Sequence, residues 1–237
     1  MNNTTKEIIM RLQKMGNKED AQFLQGFFKT GLGQYGEGDI FLGIRVPAVR
    51  KLAKEYSNLP LQEVSTLLKS PYHEIRLFAL ILLVNAFTKN DEIIQKKIYD
   101  VYLANTRYIN NWDLVDLSAP NIVGAYLLTK SRKPLYQLAK SKSLWERRIA
   151  VLATFFFIKN NQFDDSLKIA EILLKDKEDL IHKAVGWMLR EIGKRDIKSE
   201  EAFLQKHCRT MPRTMLRYAI ERFTSSKRRM YLDGKVR

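Results

Sequence analysis

One cysteine, Cys208, is all that the 237 residues contain, so no disulfide can form within the chain and a reducing cytoplasm suits it. Prolines number 6 and glycines 11, which leaves long stretches free of helix breakers. The three histidines, His73, His182 and His207, are scattered, and His207 beside Cys208 has no partner at a zinc-site spacing. A metal centre is therefore not expected, and no motif asks for a cofactor. Acidic residues are scarce: 26 Asp and Glu stand against 41 Lys and Arg, a net charge of +15 with a pI near 9.8. The longest apolar runs, Ile81-Leu82-Leu83-Val84 and Phe155-Phe156-Phe157-Ile158, are too short to cross a bilayer. The first residues, Met1-Asn2-Asn3-Thr4-Thr5-Lys6-Glu7, lack the basic start and apolar core of a signal peptide. These absences exclude a disulfide scaffold, a membrane-spanning protein and a metal-dependent nuclease. They leave a soluble, cytoplasmic protein whose charge calls for a polyanionic partner, and a monomer is expected.

What is present is helical periodicity. Apolar residues recur at spacings of three and four from residues 7–15 and 20–28 through 212–223, about a dozen helices with no convincing strand. The exception is residues 30–39, where Gly31, Gly33, Gly36 and Gly38 cluster. Gly31, Gly33 and Gly36 fit G-x-G-x-x-G, but neither a preceding strand nor a following helix is evident, so a flexible or tightly turned connector is expected.

The helices also repeat. Segments around Arg76, Trp112, Arg148, Lys183 and Arg217 align at successive separations of 36, 36, 35 and 34 residues. Two helices per such period indicate an α-solenoid, a single all-α domain over residues 1–237. Second helices of a solenoid line one concave wall, so these five positions are expected along one basic groove. Four of the five are cationic, and Lys or Arg spaced along a groove suits a phosphate backbone. Residues 183–237 carry 15 Lys and Arg against 6 Asp and Glu, and residues 225–237 read as a frayed basic arm. An anionic membrane surface would instead select an amphipathic helix with exposed bulky apolar residues, so nucleic acid is the expected partner and a membrane is not.

Within that cationic row, Asn111-Trp112-Asp113-Leu114-Val115-Asp116 is the anomaly. On a helix, Trp112 and Asp116 share a face one turn apart, Leu114 points into a core and Asp113 elsewhere. A carboxylate among phosphate-binding cations weakens binding, which points to a chemical role. Trp187, four residues beyond Lys183, shares that lysine's face, with Arg190 at its edge.

The segments Trp112-Asp113-Leu114-Val115-Asp116, Leu144-Trp145-Glu146-Arg147-Arg148 and the stretch from Ile181 through Lys183, Trp187 and Arg190 to Glu191 resemble the AlkD family, HEAT-like-repeat DNA glycosylases of alkylated purines. Phe41-Leu42-Gly43-Ile44 with Pro47 and Arg50 is similar too. The resemblance implies that Trp112, Asp116 and Trp187 form the catalytic cleft and that Arg148 contacts the DNA backbone. It implies monofunctional excision of cationic purines of the 7-methylguanine and 3-methyladenine type from duplex DNA, without base flipping. The glycine-rich residues 31–38 depart from the family pattern. Arg76, Lys183 and Arg217 are expected to contact DNA on the strength of the repeat, and Arg190 from the edge of the face that Lys183 and Trp187 share. The competing expectation is a non-catalytic helical scaffold that binds nucleic acid or protein, which accounts for the repeats and the charge but not for Trp112, Asp116 and Trp187.

Overall fold

The computed structural model describes residues 3–236. Among them there is no strand, only an isolated parallel bridge between Ile40 and Tyr72. The helices fall into two compact units, Met1–Ser118 and Ala119–Arg237.

In the first unit, α1 (Asn3–Met15), α2 (Lys18–Phe27), α3 (Val46–Glu55), α4 (Leu61–Leu67), α5 (His73–Lys89), α6 (Glu92–Ala104) and α7 (Trp112–Ala119) follow one another. The organising element is α5. Its run from Ile75 to Leu83 is buried on every side, so it has no polar face, and α1, α3, α4 and α6 pack around it. Asn17 and Asp91 begin α2 and α6 by accepting the backbone N–H of Asp20 at 2.9 Å and of Ile94 at 3.0 Å.

The chain continues without a break from α7 through a π turn at Pro120–Gly124 into the short α8 (Ala125–Leu127). In the second unit α9 (Lys133–Ala139), α10 (Leu144–Lys159), α11 (Asp164–Ile172), α12 (Asp179–Gly193), α13 (Ile197–His207), α14 (Arg213–Ala219) and α15 (Ser225–Leu232) succeed it. Here α10 plays the part of α5: Ile149 to Ala153, Phe157 and Ile158 are buried against the π turn, α9, α11 and α12. The aligned segments of the sequence repeat fall on α5, α7, α10, α12 and α14 as expected.

Helices α12 and α14 approach closely because Gly186 has no side chain. A β-carbon there would lie 2.4 Å from the Met215 carbonyl oxygen and 2.5 Å from the Tyr218 β-carbon. Gly186→Ala is accordingly expected to lower stability by about 1–3 kcal/mol, read as a shift of the urea midpoint without change of slope.

The expected frayed arm is ordered over most of its length. Residues 225–232 form α15, opened by Thr224, whose hydroxyl accepts the Lys227 N–H at 3.4 Å. Tyr231 is buried, with its ring 5.6 Å from that of Phe223, and Lys227 pairs with Glu201. Basic composition alone suggests fraying; the buried Tyr231, the Lys227–Glu201 pair and a bond from Arg213 to the Leu232 carbonyl at 2.7 Å hold the segment down.

Candidate active site

Helix α7 carries the anomalous hexapeptide. Leu114 and Val115 are fully buried, which leaves Trp112 and Asp116 half-buried on a common face one turn apart. The Trp112 ring stacks on Phe28 at 5.2 Å and 20°, and the edge of Phe27 meets it at 6.2 Å and 65°. Asp116 lies close enough to Tyr102 for its charge to act on the phenol. Burial raises the Tyr102 pKa and the Asp116 charge adds to that, while the hydrogen bond with Ser118 at 2.9 Å opposes it.

Below α7 is a buried polar cluster with no counterpart in the sequence pattern. His73, at the start of α5, bonds Asp39 through Nδ1 and Asp113 through Nε2, each at 2.8 Å. The other Asp39 oxygen takes an N–H of Arg76 at 2.5 Å. Asn111 donates to Asp39 at 3.2 Å, and its own side-chain oxygen accepts the Trp112 backbone N–H at 2.9 Å. The cluster thus reaches the first residue of α7. Its rings extend it: Phe41 stacks on His73 at 4.3 Å and on Phe28 at 4.9 Å. Trp112 therefore rests on a column of Phe28, Phe41 and His73, with carboxylates at both nitrogens of the last.

The glycine-rich segment delivers Asp39 to this cluster. It is tightly turned, with backbone bonds Gln34 to Gly31, Glu37 to Gln34 and Asp39 to Gly36 at 3.0–3.1 Å. Gly36 lies so near the Phe28 carbonyl that a β-carbon would sit 2.5 Å from it. The neighbouring carboxylate Glu74, also buried, accepts the backbone N–H groups of Leu42, Gly43 and Ile44 at 2.8–3.1 Å and fixes the chain beyond.

Burial disfavours the His73 charge, but Asp113 and Asp39 more than offset it and raise its pKa to about 9. For Asp39, burial pushes upward, yet the bonds and charges of His73 and Arg76 hold it below the ordinary carboxylate value. Because the folded His73 value stands above the unfolded 6.5, its charge stabilises the fold fully below pH 6.5 and loses that effect as pH rises through about 9. The stability difference between wild type and His73→Gln is expected to be largest near pH 6 and to shrink steadily towards pH 9. Urea titrations at several pH values would show it, and a difference independent of pH would rule out the charge.

Of the cations expected to line a groove in the first unit, Arg76 is instead an interior residue. It is 4% exposed and committed to Asp39 and to the carbonyl oxygens of Ser70 and Pro71 at 3.0 Å. The repeat register predicted its position on the helix but not its direction, because a nearby buried carboxylate drew it inward.

In the second unit Arg148 is also buried, donating to the Leu180 carbonyl at 2.5 Å. Lys183 pairs with Asp179 one turn back at 2.7 Å, and Arg190 pairs with Glu221. Arg217 is exposed. Trp187 is half-buried, its ring 5.6 Å from that of Phe155 and its Nε1–H donated to Glu191 at 3.2 Å. Among the described residues no group of histidines, cysteines and carboxylates has the arrangement of a metal site.

Helix pairs recurring about every 35 residues, an excess of basic residues and an aromatic–carboxylate pair on one helix define an all-α helical-repeat protein. The chain belongs to the DNA alkylation repair enzyme family, whose model matches residues 8–223. Comparison with curated proteins gives no match. Among solved structures, a predicted DNA alkylation repair enzyme from Enterococcus faecalis is similar with a TM-score of 0.69 and 19% identity, over 89% of this chain and 98% of that one. AlkD2 from Streptococcus mutans is similar with a TM-score of 0.52 and 18% identity, over 93% of this chain and 99% of that one. At such identities the structural likeness establishes the helical-repeat fold. No helix among the described residues is long and apolar enough to cross a membrane.

Proposed function

We propose that this protein is a monofunctional DNA glycosylase that hydrolyses the N-glycosidic bond of cationic alkylated purines in duplex DNA. The observation that carries the reading is Trp112 and Asp116, half-buried one turn apart on α7, with the indole braced by Phe28. Membership of a DNA alkylation repair family and the net charge of +15 support a DNA substrate.

A purine alkylated at N3 or N7 is positively charged. When the C1′–N9 bond breaks, the bonding electrons pass to the base, which departs neutral. No general acid has to protonate it, in keeping with a His73 whose two ring nitrogens are already bonded. The positive charge moves to the sugar, and the Asp116 carboxylate stabilises the oxocarbenium-like state and orients the water that adds at C1′. That water gives up a proton to complete the hydrolysis. Trp112 faces the same developing cation, a contact worth about 0.5–2 kcal/mol when desolvated. Trp187 is assigned the second aromatic contact to the nucleotide. The family resemblance carries the further reading that the lesion is excised while still stacked, without the flip most glycosylases need.

The duplex backbone is assigned to Lys183, Arg190 and Arg217, while Arg148, buried and donating to the Leu180 carbonyl, is assigned no phosphate. Arg217, the exposed one, gives the cleanest test. Arg217→Ala is expected to weaken binding to undamaged duplex and to reduce the slope of log K against log salt by about one. An unchanged slope would remove Arg217 from the backbone contacts.

The reaction itself is tested by single-turnover release of free base from a duplex with one 7-methylguanine. Release at a rate above the spontaneous one supports the reading. A folded protein that retards the duplex but releases nothing from it, or from a 3-methyladenine duplex, would favour a binding scaffold instead.

A further inference from the structure

Three consecutive residues where α7 begins are each held from outside that helix. Asn111, fully buried, is bonded at both ends of its amide: Oδ1 accepts the Trp112 backbone N–H at 2.9 Å, and Nδ2 donates to Asp39 at 3.2 Å. The Trp112 ring stacks on Phe28, and Asp113 bonds His73 Nε2 at 2.8 Å. Asp39 and His73 are themselves bonded at 2.8 Å, so the anchors form one block within the first unit.

Leu114 and Val115 bury α7 but do not aim it, because apolar contacts are non-directional and hydrogen bonds are not. Asp116 stands about 6 Å along the axis from Trp112, so a tilt of about 10° at the first turn displaces it by about 1 Å. An error of that size at a reacting centre costs about 10²-fold in rate.

The block also needs a charge. Asp39 and Asp113 only accept, so both His73 nitrogens must carry protons to bond the two. Asp113 has no other donor among the described residues, its Oδ1 being buried and unbonded. A neutral imidazole would turn a lone pair towards one of the carboxylates. The remaining charged groups around His73 are committed elsewhere. Arg76 bonds Asp39, and Glu74 holds the backbone N–H groups of Leu42, Gly43 and Ile44. Across an adjoining cavity of about 540 Å³, Asp20 pairs with Arg45 at 3.4 Å.

Taking the glycosylase reading as given, we propose that Asn111 and His73 are positioning residues for its reaction, aiming Trp112 and Asp116 through the buried block without touching DNA. Asn111→Ser separates the two bonds of Asn111. Serine caps a helix about as well as asparagine but is too short to reach Asp39 as well. Single-turnover release of 7-methylguanine at about pH 7.5 is expected to slow by about 10–100-fold, with duplex affinity unchanged within about threefold. A wild-type rate in folded Asn111→Ser would reduce Asn111 to a helix cap and overturn its positioning role.

His73→Gln gives a second test, as the ratio of wild-type to variant rates, in which any titration of the lesion cancels. The His73 charge persists up to about pH 9, so the ratio is expected to be level to about pH 8 and to fall above pH 9. A ratio independent of pH would overturn the role of His73.

The aim of the indole is also read without any reaction, by 19F NMR of the full chain labelled with 5-fluorotryptophan. The Trp112 signal is the one missing from Trp112→Phe. It is expected to shift in Asn111→Ser and, in wild type but not in His73→Gln, to move as pH passes about 9. An unmoved Trp112 signal in Asn111→Ser would overturn the proposal whether or not wild type excises the base. In a protein that releases no base, a shifted signal supports the aiming of Trp112 while the glycosylase reading fails by itself.

Discussion

Asp116→Asn is expected to slow single-turnover release of 7-methylguanine from duplex DNA by roughly 10²–10³, the usual cost of removing one preorganised electrostatic stabiliser. Asparagine keeps the shape and can still accept a hydrogen bond, so the loss isolates the charge. The cationic lesion already makes the base a good leaving group, which leaves the sugar cation as the species that needs an anion. Duplex affinity should stay the same or rise slightly, because a negative charge near phosphates has gone. Folding should survive, since Leu114 and Val115, not Asp116, anchor the helix in the core. A near-wild-type rate in the variant would eliminate Asp116 as the group that stabilises the transition state.

Asp39→Ala should be the most destabilising of the substitutions considered, by about 3–5 kcal/mol. The carboxylate is fully buried and bonds Arg76, His73 and Asn111. Without it, a buried guanidinium loses its anion and an imidazolium loses one of two. Buried ion pairs contribute little net stability compared with an apolar core, but half of one left behind is costly. Urea denaturation at pH 7 would measure the loss. Because Asn111 connects Asp39 to the first residue of α7, whatever fold remains should also show altered Trp112 fluorescence. A variant as stable as wild type would mean that Arg76 and His73 find other partners.

Much of this architecture is legible in the sequence for a physical reason. Helices advertise themselves through a 3.6-residue period, and repeats through self-similarity, so the segments that form α5, α7, α10, α12 and α14 align in the sequence itself. The same period placed Trp112 and Asp116 on one face and sent Leu114 inward, as found. Direction in space was less accessible. Arg76 and Arg148 sit at the expected register but are buried, because a carboxylate and a carbonyl reach them from elements 37 and 32 residues away. No local pattern encodes such a meeting.

His73 shows the same limit more sharply. It lies 40 residues from Asp113 and 34 from Asp39, so in sequence it is an isolated histidine. The one available signal was the glycine-rich segment before Asp39, whose departure from the family pattern marked it as unusual without saying what it delivers.

Composition and periodicity by themselves determined an all-helical repeat protein with a large positive charge and one aromatic–carboxylate pair out of keeping with it. These properties are local or additive, and each can be counted along the chain. Only the tertiary structure decided that Asp39, His73, Arg76, Asn111 and Asp113 form one buried network beneath Trp112 and that a cavity lies beside it. Those meetings depend on how a loop and two helices pack, and burial then sets which charges pair.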